Sequence, residues 1–228
     1  LDILNDIPLL EYNIRACVGE DSTVWASLIG KGISRYDRKE DAFLPVSFSG
    51  INKQWLASVI DLGSHDGLFY FLGSDGKLVC TVNNRLVFSK QLATAAHLTF
   101  HKFIQIGQQY FLAMANDEGE LLLYNLTDTE KEPQHIQLGP VTVSSISLTL
   151  DNSSIWIGTE SGSIFKVTQA DNRFIATLMN AYFPIFSEAR VKILSITETS
   201  QDLIWVGTDG DGVYKFLTRP KTFYSILS

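Results

Sequence analysis

The sequence predicts an all-β protein made of repeated units of four short antiparallel strands. The string Ile-Trp-Ile-Gly-Thr at residues 155–159 recurs as Ile-Trp-Val-Gly-Thr at residues 204–208, and the copies are followed by Gly162 and Gly212. Weaker copies surround three further positions, which places five anchor residues 42 to 49 residues apart: Trp25, Tyr70, Leu112, Trp156 and Trp205. Within each unit apolar and polar residues alternate, which is typical of strands with one buried face. Four strands in a repeat of about 45 residues are the signature of a β-propeller blade.

The repeat divides the chain into five units. We expect blades at about residues 13–50, 51–92, 93–140, 141–184 and 185–228, with residues 1–12 as a leading strand or the remnant of a preceding blade. The alternation is clearest where Ile146, Leu148 and Leu150 precede the Trp156 strand. It predicts strands at residues 14–18, 23–28, 33–36 and 43–48 of the first unit and at residues 191–197, 203–208, 213–216 and 222–227 of the last. No segment predicts an amphipathic helix of useful length, and a closed five-bladed ring and an arc of a larger propeller both stay open.

The repeated Trp and Gly residues predict packing contacts rather than a ligand site. The second strand of a four-stranded meander is central, so Trp25, Trp156 and Trp205 would fill the space between neighbouring blades. The glycines that follow would permit tight turns with positive φ. We therefore expect replacement of Trp156 or Trp205 by alanine to lower the melting temperature by many degrees.

The composition predicts a globular chain with a sizeable core, because 45% of the 228 residues are hydrophobic and 19% are charged. The formal net charge is −7 and there is no basic patch, which argues against a nucleic acid or an anionic membrane as partner. The longest apolar runs are far shorter than the roughly 18–20 residues that span a bilayer. The two cysteines, Cys17 and Cys80, predict neither a disulfide framework nor a metal site.

The strong copies also resemble a known repeat. The string Ile-Trp-Ile-Gly-Thr-x-x-Gly, ending in an apolar, aromatic and basic strand such as Val213-Tyr214-Lys215-Phe216, resembles the two-component regulator propeller repeat. The resemblance covers units one, four and five, whereas units two and three lack the Trp and the Gly-Thr pair and share only the period. Proteins of this family are typically periplasmic sensor regions of hybrid two-component systems in gut Bacteroides-type bacteria. In them, tandem propellers precede an immunoglobulin-like domain, one membrane helix and a histidine kinase, and they usually sense glycan fragments.

The resemblance implies a non-catalytic, periplasmic sensing module of an inner-membrane protein. Its ligand would be a glycan-derived oligosaccharide, and it would signal to a kinase outside this chain. Its other partners would be the neighbouring propeller and signalling domains of the same polypeptide, and a homodimer stays open. No cofactor is expected.

Topology indicates where such a ligand would bind. Loops alternate ends in an antiparallel meander, so the turns between second and third strands share one face with the connections between blades. Loops that converge on a rigid scaffold commonly form the binding face. Acids, amides and aromatics suit a sugar, whose hydroxyls need donors and acceptors and whose ring stacks on an aromatic. The candidate ligand-binding residues on this face are Lys31, Trp55, Asp75, Asp117, Glu160, Tyr182, Arg190 and Asp209.

Motifs for catalysis and metal binding are missing. Gly-x-Ser-x-Gly, His-Glu-x-x-His, Cys-x-x-Cys and the phosphate-binding loop do not occur. The Asp-Gly-Asp-Gly string at residues 209–212 lacks the further ligands of a calcium loop and predicts a hairpin turn. No catalytic or metal residue is therefore predicted.

Two alternatives to sensing stay open. A propeller hydrolase or lyase acting on glycans would need two carboxylates about 5–9 Å apart. A protein-docking scaffold would need an exposed apolar patch, for which the best candidate is Tyr-Phe-Pro-Ile-Phe at residues 182–186.

Overall fold

The computed structural model describes residues 14–18, 23–28, 32–92, 97–171, 173–200 and 203–217. The chain divides into two compact units, Leu1–Ala96 and His97–Ser228. Over the described residues the fold is all-β, with four sheets of four strands and one sheet of three. In each sheet the strands follow one another in sequence order and pair antiparallel, which is the arrangement of a propeller blade.

The first unit contains two sheets. The first sheet consists of β1 (Ile14–Val18), β2 (Val24–Leu28), β3 (Gly32–Asp37) and β4 (Ala42–Pro45). The second sheet consists of β5 (Val59–His65), β6 (Leu68–Gly73), β7 (Lys77–Val82) and β8 (Arg85–Gln91). Between them lies a one-turn helix, α1 (Lys53–Leu56), which Asn52 caps by accepting a hydrogen bond from the Gln54 backbone N–H at 2.7 Å.

The second unit contains three sheets. The third sheet consists of β9 (Leu98–Ile106), β10 (Gln109–Asn116), β11 (Glu120–Asn125) and β12 (Gln134–Gln137). The fourth consists of β13 (Val143–Leu148), β14 (Ser154–Thr159), β15 (Ile164–Ala170) and β16 (Arg173–Leu178). A 3₁₀ turn (Asn180–Tyr182) and the short helix α2 (Pro184–Ala189) lead to the fifth sheet, which consists of β17 (Ile193–Ser200), β18 (Leu203–Thr208) and β19 (Val213–Leu217). The leading segment 1–12 and the last predicted strand, 222–227, lie outside the described residues.

Two-residue turns fix the register of the second sheet. Asp66 and Gly67 join β5 to β6 with φ of 50° and 72°, and Asn83 and Asn84 join β7 to β8 with φ of 48° and 59°. Two successive left-handed residues make the hairpin turn whose twist matches that of the flanking strands. Asn, Asp and Gly tolerate this conformation best, which is why the chain reverses at these positions.

The core of the first unit lies between its two sheets. Trp25 from β2 packs against Phe69, with ring centroids 4.8 Å apart, and against Phe48 at 6.2 Å. The first strands of the two sheets are adjacent, and Ser27 Oγ of β2 donates a hydrogen bond to the Val59 carbonyl at 2.8 Å. The Trp25 indole N–H is buried without a hydrogen-bond partner.

The core of the second unit has two layers, which meet at β14. Ile155 and Ile157 belong to the cluster shared with the third sheet, whereas Trp156 points to the opposite side and joins the cluster shared with the fifth sheet. Every residue of β14 is buried, which agrees with the three consecutive apolar side chains at residues 155–157. Ser144 Oγ of β13 donates to the Ile193 carbonyl of β17 at 2.6 Å and ties the first strands of these sheets together.

The five anchors fall on the second strands of the five sheets, but their environments differ. Trp25, Tyr70, Leu112 and Trp156 are all buried. Trp205, which the sequence predicted to fill the space between blades, is instead 38% exposed. The physical reason is that the fourth sheet packs on the opposite face of β18, through Ile204 and Val206.

Candidate functional site

In four of the sheets the turn between the second and third strands lies against the connection that enters the sheet. A backbone N–H in the turn donates to the carbonyl of the residue immediately before the first strand: Ser74 to Ser58 at 2.9 Å, Asp117 to His97 at 3.2 Å, Glu160 to Thr142 at 2.9 Å and Asp209 to Lys192 at 3.0 Å. These hydrogen bonds place the candidate acids at the same end of their own sheets. Lys31, the corresponding candidate of the first unit, lies outside the described residues.

In the first unit the structure brings two predicted residues, Trp55 and Asp75, into contact. Helix α1 carries Trp55 to the turn after β6, where its indole Nε1–H donates to Asp75 Oδ2 at 3.0 Å. Asp75 Oδ1 accepts the backbone N–H of Lys77 at 3.0 Å, and Lys77 Nζ lies 5.5 Å from the centre of the Trp55 ring. The half-buried indole is therefore held on one edge by a carboxylate and covered on one face by an ammonium group.

Gly73, at the end of β6, allows this approach. A Cβ atom at that position would lie 2.8 Å from Trp55 Cζ2 and 2.5 Å from Asp75 Oδ1, which is closer than atoms can pack. Gly73 belongs to the weak repeat copy around Tyr70. The indole that it accommodates comes from a different loop, so no local pattern could indicate its role.

A cleft of about 360 Å³ opens beside this contact, and we call it the Trp55 cleft. It combines amide, hydroxyl and ammonium groups with an indole and aliphatic side chains, and it is lined by Gly50, Ile51, Asn52, Gln54, Trp55, Lys77, Val79, Leu86 and Ser89. Sequence reasoning missed Gln54, Lys77 and Ser89. Two of them, Lys77 and Ser89, lie on strands rather than in the loops of the predicted binding face.

A connection between sheets borders the cleft. After β4 the chain crosses the start of β8, where Ser49 forms a parallel bridge with Arg85. A second, smaller cleft of about 270 Å³ lies on the other side of this crossing and includes Arg35, Asp37 and Asn84. Hydrogen bonds from the backbone N–H groups of Glu40 and Lys39 hold the pKa of Asp37 below its usual value, so this acid caps its own turn.

In the second unit the structure brings Glu160 and Asp209 together around Lys192. Lys192 Nζ bonds Glu160 Oε1 at 2.8 Å, and the Lys192 carbonyl accepts the Asp209 backbone N–H. The hydrogen bond and charge of Glu160, with a smaller effect from the charge of Asp209, raise the pKa of Lys192. The sequence analysis did not select Lys192, because a lysine in a connection has no motif and its partner is 32 residues away.

The other three predicted residues also lie in the second unit, outside the group around Lys192. Asp117 pairs with His97, whose Nδ1 lies 3.4 Å from Asp117 Oδ2. Tyr182 is 55% exposed, and Arg190 is exposed at the end of α2 with a left-handed φ of 51°. In the described part of the second unit, no hydrogen bond or ion pair joins these three to the group around Lys192.

The stretch 182–186, the predicted candidate for a docking patch, divides between core and surface. Phe183 and Phe186 are fully buried and pack edge-on against Phe216, with ring centroids 4.8 Å and 5.2 Å away. The prediction of an exposed patch was therefore wrong for these two phenylalanines, which the start of α2 turns to the same side. Of the stretch, Tyr182 and Ile185 are the large apolar side chains that stay exposed.

The Asp-Gly-Asp-Gly string forms a hairpin turn, as its composition predicted. Thr208 closes the turn, because its backbone N–H and its Oγ1–H both donate to the Gly212 carbonyl, at 3.0 Å and 2.7 Å. Asp211 accepts a hydrogen bond from Tyr214 Oη at 2.8 Å, which raises the pKa of that phenol. Among the described residues no three His, Cys, Asp or Glu side chains are placed to hold a metal ion. In the same ranges, no helix has both the length and the apolar character needed to cross a bilayer.

The comparisons with known proteins establish the fold. No protein-family model matches the chain, and no curated protein sequence does either. Many solved structures are similar to it, and two of them illustrate the likeness. One is the crystal structure of Raptor from Chaetomium thermophilum, with a TM-score of 0.65 and 12% identity over 96% of this chain. The other is YCF48 bound to a D1 peptide, with a TM-score of 0.59 and 10% identity over 86% of this chain.

These similarities show that the chain has a propeller-like β fold and confirm the predicted fold class. The chain spans 20% of the Raptor chain and 61% of the YCF48 chain. At identities this low, shared architecture carries no shared function, since one fold hosts many unrelated sites.

Proposed function

We propose that this chain is the ligand-sensing propeller module of a hybrid two-component sensor histidine kinase, and that it recognises a glycan-derived oligosaccharide. The Trp55 cleft is the observation that carries the proposal, because it joins an oriented aromatic to several hydrogen-bonding groups. The two strong Ile-Trp-x-Gly-Thr copies, which resemble the two-component regulator propeller repeat, supply the link to signalling.

The chemistry of the cleft suits a sugar. Lys77, Gln54 and Ser89 offer an ammonium, an amide and a hydroxyl to sugar hydroxyl groups, which both donate and accept hydrogen bonds. The hydrogen bond to Asp75 fixes the indole of Trp55 before a ligand arrives, so little conformational entropy is lost on binding. The aliphatic side chains of Ile51 and Val79 favour the apolar face of a sugar ring.

Recognition fits the carboxylates of this chain better than glycan cleavage does. A glycosidase needs one carboxyl group with a raised pKa to act as the general acid. Here Asp75 accepts two hydrogen bonds, Glu160 pairs with Lys192, and Asp117 pairs with His97. Each of these candidate carboxylates is therefore held by a partner within its own unit and serves the local fold.

As a sensor module the chain would lie in the periplasm, within an inner-membrane protein. Its signalling partners would be further propeller and signalling domains of the same polypeptide, and the kinase would lie outside this chain. The formal charge of −7 agrees with a partner that is not a polyanion.

Titration calorimetry of the chain with a panel of oligosaccharides tests the proposal. We expect one or more to bind, and Trp55→Ala or Lys77→Gln to weaken that binding by about tenfold or more, equivalent to about 1.4 kcal/mol. The matched control is Lys131→Gln, an exposed lysine paired with Asp128 in the other unit. Binding that survives both cleft substitutions would overturn the site, and steady product formation from any glycan would overturn sensing in favour of catalysis.

A second candidate function, docking of an extended peptide, is favoured by the outer strand β8. At the start of β8, Arg85 already forms a parallel bridge with Ser49 of the preceding connection. Leu86 and Ser89 of the same strand line the cleft beside it. Addition of a peptide strand to a sheet edge is a common recognition mode, and the similar YCF48 structure contains a bound peptide. Peptides selected from a displayed library would bind the wild-type chain and lose affinity with Leu86→Lys if this candidate is correct.

A further inference from the structure

The fourth and fifth sheets present the same set of residues on corresponding faces. Trp156 pairs across the sheet with Lys166, and Trp205 pairs with Lys215. The lysine ammonium groups lie 5.2 Å and 5.5 Å from the centres of the respective indole rings. Each tryptophan is followed two residues later by a glycine on the same face of the strand.

In the fourth sheet this face is covered by the first strand of the next sheet, β17. Ile193 occupies the space that Gly158 leaves, since a Cβ on the glycine would lie 2.4 Å from Ile193 Cγ2. Five residues later, Glu198 Oε2 accepts a hydrogen bond from Trp156 Nε1 at 3.2 Å. The result is a tryptophan that is only 2% exposed.

In the fifth sheet the corresponding face is exposed over the residues that the structure describes. Trp205 is 38% exposed, and its neighbours Val213 and Leu217 are 68% and 56% exposed. All three point to the same side, because Val213 and Leu217 lie two residues on either side of Lys215, the cross-strand partner of Trp205. The opposite side of β18 is buried against the fourth sheet through Ile204 and Val206.

We propose that the Trp205 face binds the first strand of another blade of the same repeat type. That strand carries a β-branched residue, which sits over Gly207, and a carboxylate five residues further on, which accepts from Trp205 Nε1. Both contacts follow the way β17 packs against the face of the fourth sheet, where Ile193 lies over Gly158 and Glu198 accepts from Trp156. Apolar area of this kind on a rigid sheet is a typical interaction surface. The proposal does not depend on what the Trp55 cleft binds.

The test adds such a blade to the complete chain. A second copy of residues 179–228 is fused to the C-terminus, so that the strand equivalent to β17 follows the fifth sheet. A cysteine introduced by Val213→Cys measures whether the Trp205 face is buried, because burial slows its labelling by a maleimide. The labelling of the parent cysteines is subtracted. The control Ile175→Cys is in β16 and is similarly exposed, but it lies on the outer strand of the fourth sheet.

We expect the added copy to slow labelling of Val213→Cys by about tenfold or more and to leave Ile175→Cys unchanged. Replacing Ile193 by Ser and Glu198 by Gln in the added copy only should restore most of the labelling rate. Because a single added blade can fail to fold, a second fusion carries a copy of residues 141–228, whose own two sheets pack on each other. Its first strand offers Val143 at the position of Ile193 but Leu148 at the position of Glu198, so it should protect Val213→Cys through the apolar contact alone.

Two results would overturn the proposal. One is unchanged labelling of Val213→Cys in both fusions. The other is a dimer of the unmodified chain, seen by sedimentation velocity and dissociated by Val213→Asp, because a second copy of the chain would then occupy the face.

Discussion

At the scale of single residues, the repeated motif acts as a docking site for the next sheet. Gly158 and Trp156 lie on one face of β14, and the glycine gives the first residue of β17 room to approach. The indole N–H of Trp156 then donates a hydrogen bond to Glu198, which lies on the same strand, β17. The motif therefore joins two sheets only where a neighbouring sheet packs on it, as at Trp156 and, among the described residues, not at Trp205.

The two glycines of the strong repeats provide a matched pair. We predict that Gly158→Ala destabilises the chain by about 1–3 kcal/mol, the usual cost of overpacking, because the added methyl meets Ile193 of the neighbouring sheet. Gly207→Ala should cost less, since its methyl meets the Ser195 hydroxyl at 2.6 Å, which can rotate away. Urea unfolding measures both, and equal losses would contradict the proposed role of Gly158.

The two tryptophans of these repeats should also differ in their contribution to stability, with the larger contribution again in the fourth sheet. Trp156→Ala empties a buried site and is expected to cost about 3–5 kcal/mol. Trp205→Ala removes a side chain that is already 38% exposed, so its cost should be clearly smaller, contrary to the expectation from sequence alone. Thermal unfolding of the two variants decides, and similar shifts in melting temperature would show that Trp205 is covered in solution.

At the scale of elements, short turns with internal hydrogen bonds hold the sheets in register. The turn between β13 and β14 is closed by Asp151, which accepts hydrogen bonds from Thr149 Oγ1 at 2.6 Å and from Ser153 Oγ at 2.8 Å. The Ser153 backbone N–H adds a third hydrogen bond at 3.0 Å. An acid with three donors strongly prefers its charged form.

This turn should make part of the stability depend on pH. The hydrogen bonds lower the pKa of Asp151 from 3.8 to about 2, so its carboxylate stabilises the folded chain above pH 4 and loses that effect as the pH falls towards 2. We predict that Asp151→Asn is less stable than the wild type at pH 7 and that the difference shrinks between pH 4 and pH 2. Glu132→Gln, an exposed loop substitution, is the control. A difference that does not change with pH would contradict this role.

The sequence predicted strands far better than it predicted contacts. Alternation locates a strand because it reports one exposed and one buried face, and β2 and β18 were predicted within a residue of their observed ends. Helix α2 was missed because six residues are too few to show a helical period. The pairing of Trp55 with Asp75 was beyond the sequence, since it depends on where α1 places an indole relative to a turn 20 residues away.

At the scale of the whole molecule, the described residues consist almost entirely of strands and turns. Each compact unit has its own core, built from the facing sides of successive sheets. The stability of stacked repeats depends on the contacts between neighbours as much as on each repeat. Substitutions at Trp25 and Trp156 therefore report on two separate cores.

Circular dichroism checks this description in solution. We predict a far-ultraviolet spectrum dominated by strand, because α1 and α2 contain only four and six residues. The helix fraction should lie far below the roughly one-third of an average globular protein. A fraction above roughly a quarter would contradict the all-β fold.

The crossing of β8 by the preceding connection also affects how the chain behaves when it is concentrated. Strand β8 is an outer strand with exposed Leu86 and Val87, which is the kind of edge that seeds fibrils by pairing with another molecule. Ser49 occupies the start of that edge by donating to the Asn84 carbonyl at 2.8 Å and accepting from the Leu86 N–H at 3.1 Å. The connection thus keeps a strand of another molecule from pairing with the start of this edge. We therefore expect substitutions near residue 49, even those designed only to change ligand affinity, to alter the rate at which the concentrated protein aggregates.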